Sequence, residues 1–141
     1  MAKLKAAIQT LTIRTSRRTE LQDITDKIES AVRESHCMSG VCHLFVPHTT
    51  AGILINEGYD PDVARDMEGA FDRLVPDSPA FRHAEGNSDS HIKTVLVGTS
   101  ETIWIDNGQL VLGQWQRIFF AEFDGPRARQ LRLKIVPDPV T

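Results

Sequence analysis

The apolar positions along the chain change their spacing several times, and each change marks an element. From Leu4 to Ile13 they alternate imperfectly, with Leu4, Ala6 and Ile8 set against Ala7, Gln9, Leu11 and Ile13, which predicts a strand. Ile24, Ile28, Ala31 and Val32 then recur at helical spacing, and Asp23 or Thr25 stands where an N-cap is needed. Residues 41–46 and 52–56 are short apolar runs that read as strands. Across residues 60–74 a helical stripe returns as Val63, Met67, Ala70, Phe71 and Leu74. Asp60 is its N-cap, Pro61 its first residue, and Pro76 lies just beyond its end. The polar stretch 75–90 is long for a connection, and long ordered loops often carry function.

A short helix over 90–97, closed by Gly98, is predicted next. Residues 101–105 and 109–112 flank Asp106-Asn107-Gly108, a hairpin signal. Two longer strands, 115–123 and 129–136, meet at Asp124-Gly125-Pro126. On the first of these, Gln116, Ile118, Phe120 and Glu122 share one face. Trp115, Arg117, Phe119, Ala121 and Phe123 share the other, so both faces are largely apolar and the strand is central. About seven strands with two or three helices give an α+β fold: a single compact domain over 1–141 with a mixed, mainly antiparallel sheet. A βαβ rhythm, a GxGxxG turn and a Walker loop are all missing, which disfavours the common nucleotide-binding architectures.

Composition narrows the classes further. A chain of 141 residues suits one core, and a net charge of -3 argues against a surface built to coat nucleic acid. No apolar run reaches the roughly 20 residues of a membrane span, and the first residues have no signal-peptide core, so a cytoplasmic protein is expected. Cys37 and Cys42 lack a second CxxC that would complete a zinc ribbon and are expected to be buried, inert thiols.

Candidate chemistry gathers in three places. "PHTTAGILINEG", 47–58, sets His48, Thr49 and Thr50 at a turn between two strands. Such a turn either presents a functional histidine or only satisfies its own backbone. His83 and His91 lie around the long polar loop, and together with His48 they would supply three imidazoles for a metal such as zinc. Solvated loop histidines are the alternative, since no HExxH-type pair is present. His36, at a helix end, and His43, within a strand, are expected to be structural. In the third place, Glu122 or Asp124 with Arg127 or Arg129 makes a charge-assisted pair across the turn, either as a structural ion pair or as part of a phosphate site.

The blocks "HTTAGILINEGYDPDVARDM" (48–67), "GNSDSHIK" (86–93) and "LGQWQRIFFAEFDGPRAR" (112–129) resemble the YjbQ-like family, often called the secondary thiamine-phosphate synthase family. The resemblance spans nearly the whole chain; Gln114 stands where the family usually has threonine. It implies a homotrimer and a possible metal-assisted transferase, in which a thiazole phosphate displaces pyrophosphate from a pyrimidine diphosphate. A metal- or small-molecule-binding protein without turnover, or a structural oligomer, are the alternatives. On this reading His48, Glu57 and Gln116 are the catalytic candidates. Thr49, Thr50, Asn56, Arg127 and Arg129 would hold a small phosphorylated molecule. His48, His83 and His91 would hold a divalent metal: zinc, manganese or magnesium.

Overall fold

The computed structural model describes residues 7–140, so Leu4 and Ala6 of the predicted first strand lie outside the described residues. The elements run β1 (Ile8–Arg14), β2 (Glu20–Asp23), α1 (Thr25–Ser35), β3 (Ser39–Phe45), β4 (Ala51–Glu57), α2 (Pro61–Leu74), α3 (Ser88–Val97), β5 (Ser100–Asp106), β6 (Gln109–Leu110), β7 (Gln116–Glu122) and β8 (Ala128–Pro137). The strands form two sheets rather than one: a five-stranded sheet ordered β1-β8-β3-β5-β6 and a three-stranded sheet ordered β2-β7-β4. Among the described residues every pairing is antiparallel, so the mainly antiparallel α+β fold expected from the sequence holds, with no parallel pair among them.

The two sheets enclose the main core. Ile13, Leu44, Ile103, Leu131, Leu133 and Ile135 of the larger sheet meet Ile53, Ile118 and Phe120 of the smaller, with Ile28 and Val32 of α1 joining them. A second cluster lies on the far face of the smaller sheet. There Phe119, Ala121 and Phe123 pack with Met67 and Phe71 of α2 and Val97 of α3. β7 is therefore buried on both faces, as its alternation predicts, and it is the middle strand of its sheet.

α2 starts where Asp60 and Pro61 say it should: the Asp60 carboxylate accepts the Asp62 N–H at 2.9 Å. Its buried stripe is shifted from the predicted one. Leu74 is exposed, and Glu68 is buried against Arg17, whose Nη2 lies 2.7 Å from it. α3 departs most from expectation. It begins at Ser88, two residues early, and turns its polar face inward: Asp89, Ser90, Lys93 and Thr94 are buried while Val95 and Leu96 are exposed. Charge pairing makes this tolerable. Arg18 donates to both Asp89 oxygens at 3.1 Å, and the buried Lys93 ammonium reaches Asp72 at 2.8 Å and Asp89 at 3.4 Å. These bonds tie α3 to α2 and to the β1–β2 connection.

β2 is absent from the sequence reading because Glu-Leu-Gln-Asp offers one large apolar residue and no period to detect. Cys37 and Cys42 are buried and unpaired, as expected, and burial pushes the Cys42 thiol up to about 12. His36 closes α1 in the left-handed conformation, and His43 lies in β3, exposed beside Thr102. No helix among the described residues is long and apolar enough to cross a membrane.

Candidate functional site

Three segments far apart in sequence meet at one end of the smaller sheet. They are the β3–β4 turn, the loop entering α3 with its first turn, and the β7–β8 turn. Between them opens a pocket of about 330 Å³ lined by Pro47, His48, Thr49, Thr50, Glu85, Asn87, His91, Asp124, Arg127 and Arg129. A larger cavity, about 540 Å³, lies between α1 and the β5–β6 turn, but its walls bring no comparable group of histidines, hydroxyls and arginines together.

Arg129 lines the floor of the pocket, and beneath it lies the buried partner Glu122. Glu122, 0% exposed, and Arg129, 3% exposed, are joined by Arg129 Nε at 2.9 and 3.1 Å from the two carboxylate oxygens and by Nη2. The Glu122 oxygens also accept Thr15 Oγ1–H at 2.7 Å and the N–H groups of Phe123 and Asp124 at 3.1 and 3.2 Å. Arg129 Nη2 further donates to the Thr50 hydroxyl at 2.8 Å and to its carbonyl at 3.2 Å. Each charge thus has both a partner and additional hydrogen bonds, the condition under which a buried pair is tolerated.

Arg127 is different. Its side chain is half-exposed and reaches Asp124 through Nε to the carbonyl at 2.9 Å and Nη2 to the carboxylate at 3.1 Å. Asp124 also accepts from Asn87 Nδ2 at 2.8 Å. That contact fixes the Asn87 amide, because the reverse orientation would set its oxygen against a carboxylate. Asn87 Oδ1 is buried with no hydrogen-bond donor among the described residues, an arrangement that costs roughly 1–3 kcal/mol until a donor reaches it.

His48 is half-buried, and its Nε2 accepts the Gln130 N–H at 2.9 Å. Burial, and then the positive charge of Arg129, hold its pKa below the usual histidine value, so the neutral ring is favoured. His91 lines the pocket, and His83 stacks on it edge to face with ring centroids 5.3 Å apart. The three-histidine metal centre expected from the sequence is not assembled here. Among the described residues no group of three or more His, Cys, Asp or Glu side chains is placed to hold a metal ion. His48 Nε2 is already engaged by the Gln130 N–H.

Glu57, Gln116 and Asn56, the other catalytic and binding candidates, lie at the opposite end of the same sheet from His48. β4 runs from Ala51, opposite Glu122, to Glu57, opposite Gln116, so its ends are about 20 Å apart. The Glu57 carboxylate accepts the N–H groups of Tyr59 and Asp60 at 3.3 and 3.1 Å and so shapes the entry to α2. Gln116 Oε1 accepts the Gly113 N–H at 2.7 Å and closes its own turn. Asn56 Nδ2 reaches Met67 Sδ at 3.5 Å. The sequence reading missed Asn87 and the Gln130 main chain as parts of the site. Asn87 could have been found as the asparagine that precedes a helix; nothing in a sequence marks which strand N–H is left without a strand partner.

Two antiparallel sheets backed by helices, with a polar pocket where three turns meet, define a small α+β pocket protein. Its relatives place it further. The sequence profile of the family described as "UPF0047 protein YjbQ-like" matches residues 9–138, and the chain belongs to that family. It is 53% identical over 126 residues to a UPF0047 protein of Methanocaldococcus jannaschii, covering 89% of this chain and 91% of that one. It is 45% identical over 130 residues to the UPF0047 protein YugU of Bacillus subtilis, covering 92% and 98%. The crystal structure of a YjbQ/UPF0047 family protein from Clostridium acetobutylicum superposes with a TM-score of 0.88 at 47% identity, over 91% of this chain and 99% of that one. A YbjQ-like protein of unknown function from Sulfolobus solfataricus gives 0.89 at 31% identity, over 95% and 99%.

Proposed function

We propose that the pocket binds the phosphate end of a small molecule, with Arg127 as the arm that captures it. The observation that carries this reading is the contrast between the two arginines. Arg129 is buried and committed to Glu122 and Thr50, so it stays in the floor. Arg127 is paired to Asp124 only at a half-exposed site, where an ion pair contributes about 0–1 kcal/mol. It can exchange that carboxylate for a dianionic phosphate at little cost. Thr49, exposed at the rim, supplies a further hydroxyl donor.

Group transfer with pyrophosphate as the leaving group is the chemistry this arrangement would serve, because arginine and hydroxyl donors stabilise charge developing on a departing phosphate. The reading rests on the protein's own groups. Calorimetric titration of inorganic pyrophosphate, with chelator present, tests it. Wild type should bind and Arg127→Ala should bind at least about 10-fold more weakly; equal binding by the two overturns the assignment. Release of pyrophosphate from a pyrimidine diphosphate in the presence of a thiazole phosphate then separates a transferase from a binding protein.

Association into a homotrimer, implied by the family resemblance, is proposed as well. Exposed Val95 and Leu96 on α3 and Leu74 at the end of α2 support it, since burying them would be favourable. Sedimentation equilibrium returning a monomer mass would overturn it.

A further inference from the structure

The His48 ring completes a ladder that the strands leave unfinished. β8 pairs with β3 from Gly40–Pro137 to Phe45–Arg132 and goes no further, because Pro47 turns the chain away two residues later. Gln130 is the next β8 residue whose main chain faces that side, and its N–H would be unmatched. His48 Nε2 accepts it at 2.9 Å, in the place a strand carbonyl would occupy.

An amide N–H can only donate, so Nε2 must present its lone pair. A neutral imidazole carries one proton, which is thereby assigned to Nδ1. Protonating the ring would set two donors head to head at Gln130. No hydrogen bond among the described residues engages Nδ1, and the ring lines the pocket. We propose that His48 is a fixed hydrogen-bond donor that presents Nδ1–H to an oxygen of the bound anion, and that it serves as neither a metal ligand nor a general base. The identity of the acceptor as a phosphate oxygen rests on the pocket reading above; the tautomer does not.

A general base needs a lone pair facing the substrate, and a metal needs the same. Here the only lone pair is turned into the sheet. What faces the pocket is a donor with no net charge. It favours a ligand oxygen of high electron density and disfavours a ligand N–H at that position.

Two substitutions separate the donor from the ladder. The Gln amide oxygen reaches the place of Nε2, so His48→Gln keeps an acceptor for Gln130 and removes the donor. The Asn amide nitrogen sits near Nδ1, so His48→Asn keeps a donor and loses the acceptor. With inorganic pyrophosphate as the probe, His48→Gln should lose about 10- to 100-fold in affinity with an unchanged melting temperature. His48→Asn should stay within about 3-fold of wild type and melt lower. A purely structural histidine would give the reverse, with binding following stability in both variants. Nitrogen NMR of the histidine rings in the unliganded protein reads the tautomer directly. Nδ1–H at pH 7.5, unmoved by one equivalent of zinc, is the expected result; an Nε2–H ring, an imidazolium or a zinc-shifted His48 overturns the proposal. Should pyrophosphate and phosphate both fail to bind wild type while Nδ1–H is seen, the anion as partner is overturned and the donor assignment stands.

Discussion

The two ends of the smaller sheet both carry polar side chains and use them in opposite ways. At the Glu57–Gln116 end each carboxylate or amide oxygen in question is engaged by a neighbouring backbone N–H, as Glu57 is by Tyr59 and Asp60 and Gln116 by Gly113. These groups build turns. At the Thr50–Glu122 end several partners come from far along the chain, Asn87 and Asp124 37 positions apart, Thr50 and Arg129 79, His48 and Gln130 82, and Thr15 and Glu122 107. Some capacity is left over among the described residues: the Asn87 oxygen, the Arg127 guanidinium, the outer nitrogen of His48. Local partners close a polar group upon itself. Distant partners hold it in place and leave part of it to face outward. That difference, more than the residue types, separates the candidate site from a well-made turn.

The comparison breaks first if the pocket floor is not a committed ion pair. Arg129→Met leaves Glu122 buried and unpaired, and denaturant melts should show a loss of about 3–5 kcal/mol. The double variant Arg129→Met with Glu122→Gln should recover much of it; a single variant as stable as wild type would show that the pair does not govern the floor. Next in size, Glu57→Ala should cost about 1 kcal/mol by loosening the entry to α2 while pyrophosphate affinity stays at the wild-type value. A fall in affinity would place Glu57 in the site after all. Arg127→Ala should change stability by less than about 0.5 kcal/mol, even as it weakens binding, since its ion pair is half-exposed.

The smallest effect is in pH. His48 has its folded pKa lowered, by burial first, then Arg129, with Arg127 acting in the same direction and Glu122 against it. A base with a depressed folded pKa binds fewer protons folded than unfolded, so its contribution to stability is present above the unfolded value, about 6.5, and erodes as pH falls below it. Stability measured from pH 7.5 down to 5.5 should decline, and His48→Gln should flatten that decline. An identical slope in the variant would remove His48 from the account.

Much of this was legible in the sequence where the signal is local. Asp60-Pro61 fixes the start of α2, the two apolar faces of β7 fix it as central, and Asp106-Asn107-Gly108 turns as expected, with Asn107 and Gly108 at positive φ. The pairing of Glu122 and Asp124 with the arginines was also readable, though not which arginine would be buried. Nearness in the chain is a poor guide to nearness in space. His48 and Glu57 are nine positions apart, yet an extended strand carries one away from the other by about 3.4 Å per residue, while turns bring Asn87 and Asp124 together from 37 positions apart. α3 misled in a different way. Its spacing gave a helix, but its buried face is polar, and only the positions of Arg18 and Asp72 in space make that face the inner one.

One feature of the pocket reaches beyond recognition. Thr50 and Arg129 line the pocket, and with Glu122 beneath them they stitch the β3–β4 turn to β7 and β8. The cleft therefore exists only in the fully folded chain, and any molecule that occupies it draws the folding equilibrium toward the native state. At a free concentration 100-fold above the dissociation constant that linkage amounts to about 2.7 kcal/mol. Heat denaturation thus becomes a way of asking what the protein binds: a panel of small phosphorylated compounds, ranked by the rise in unfolding temperature each produces, would find the natural occupant without an assay for turnover.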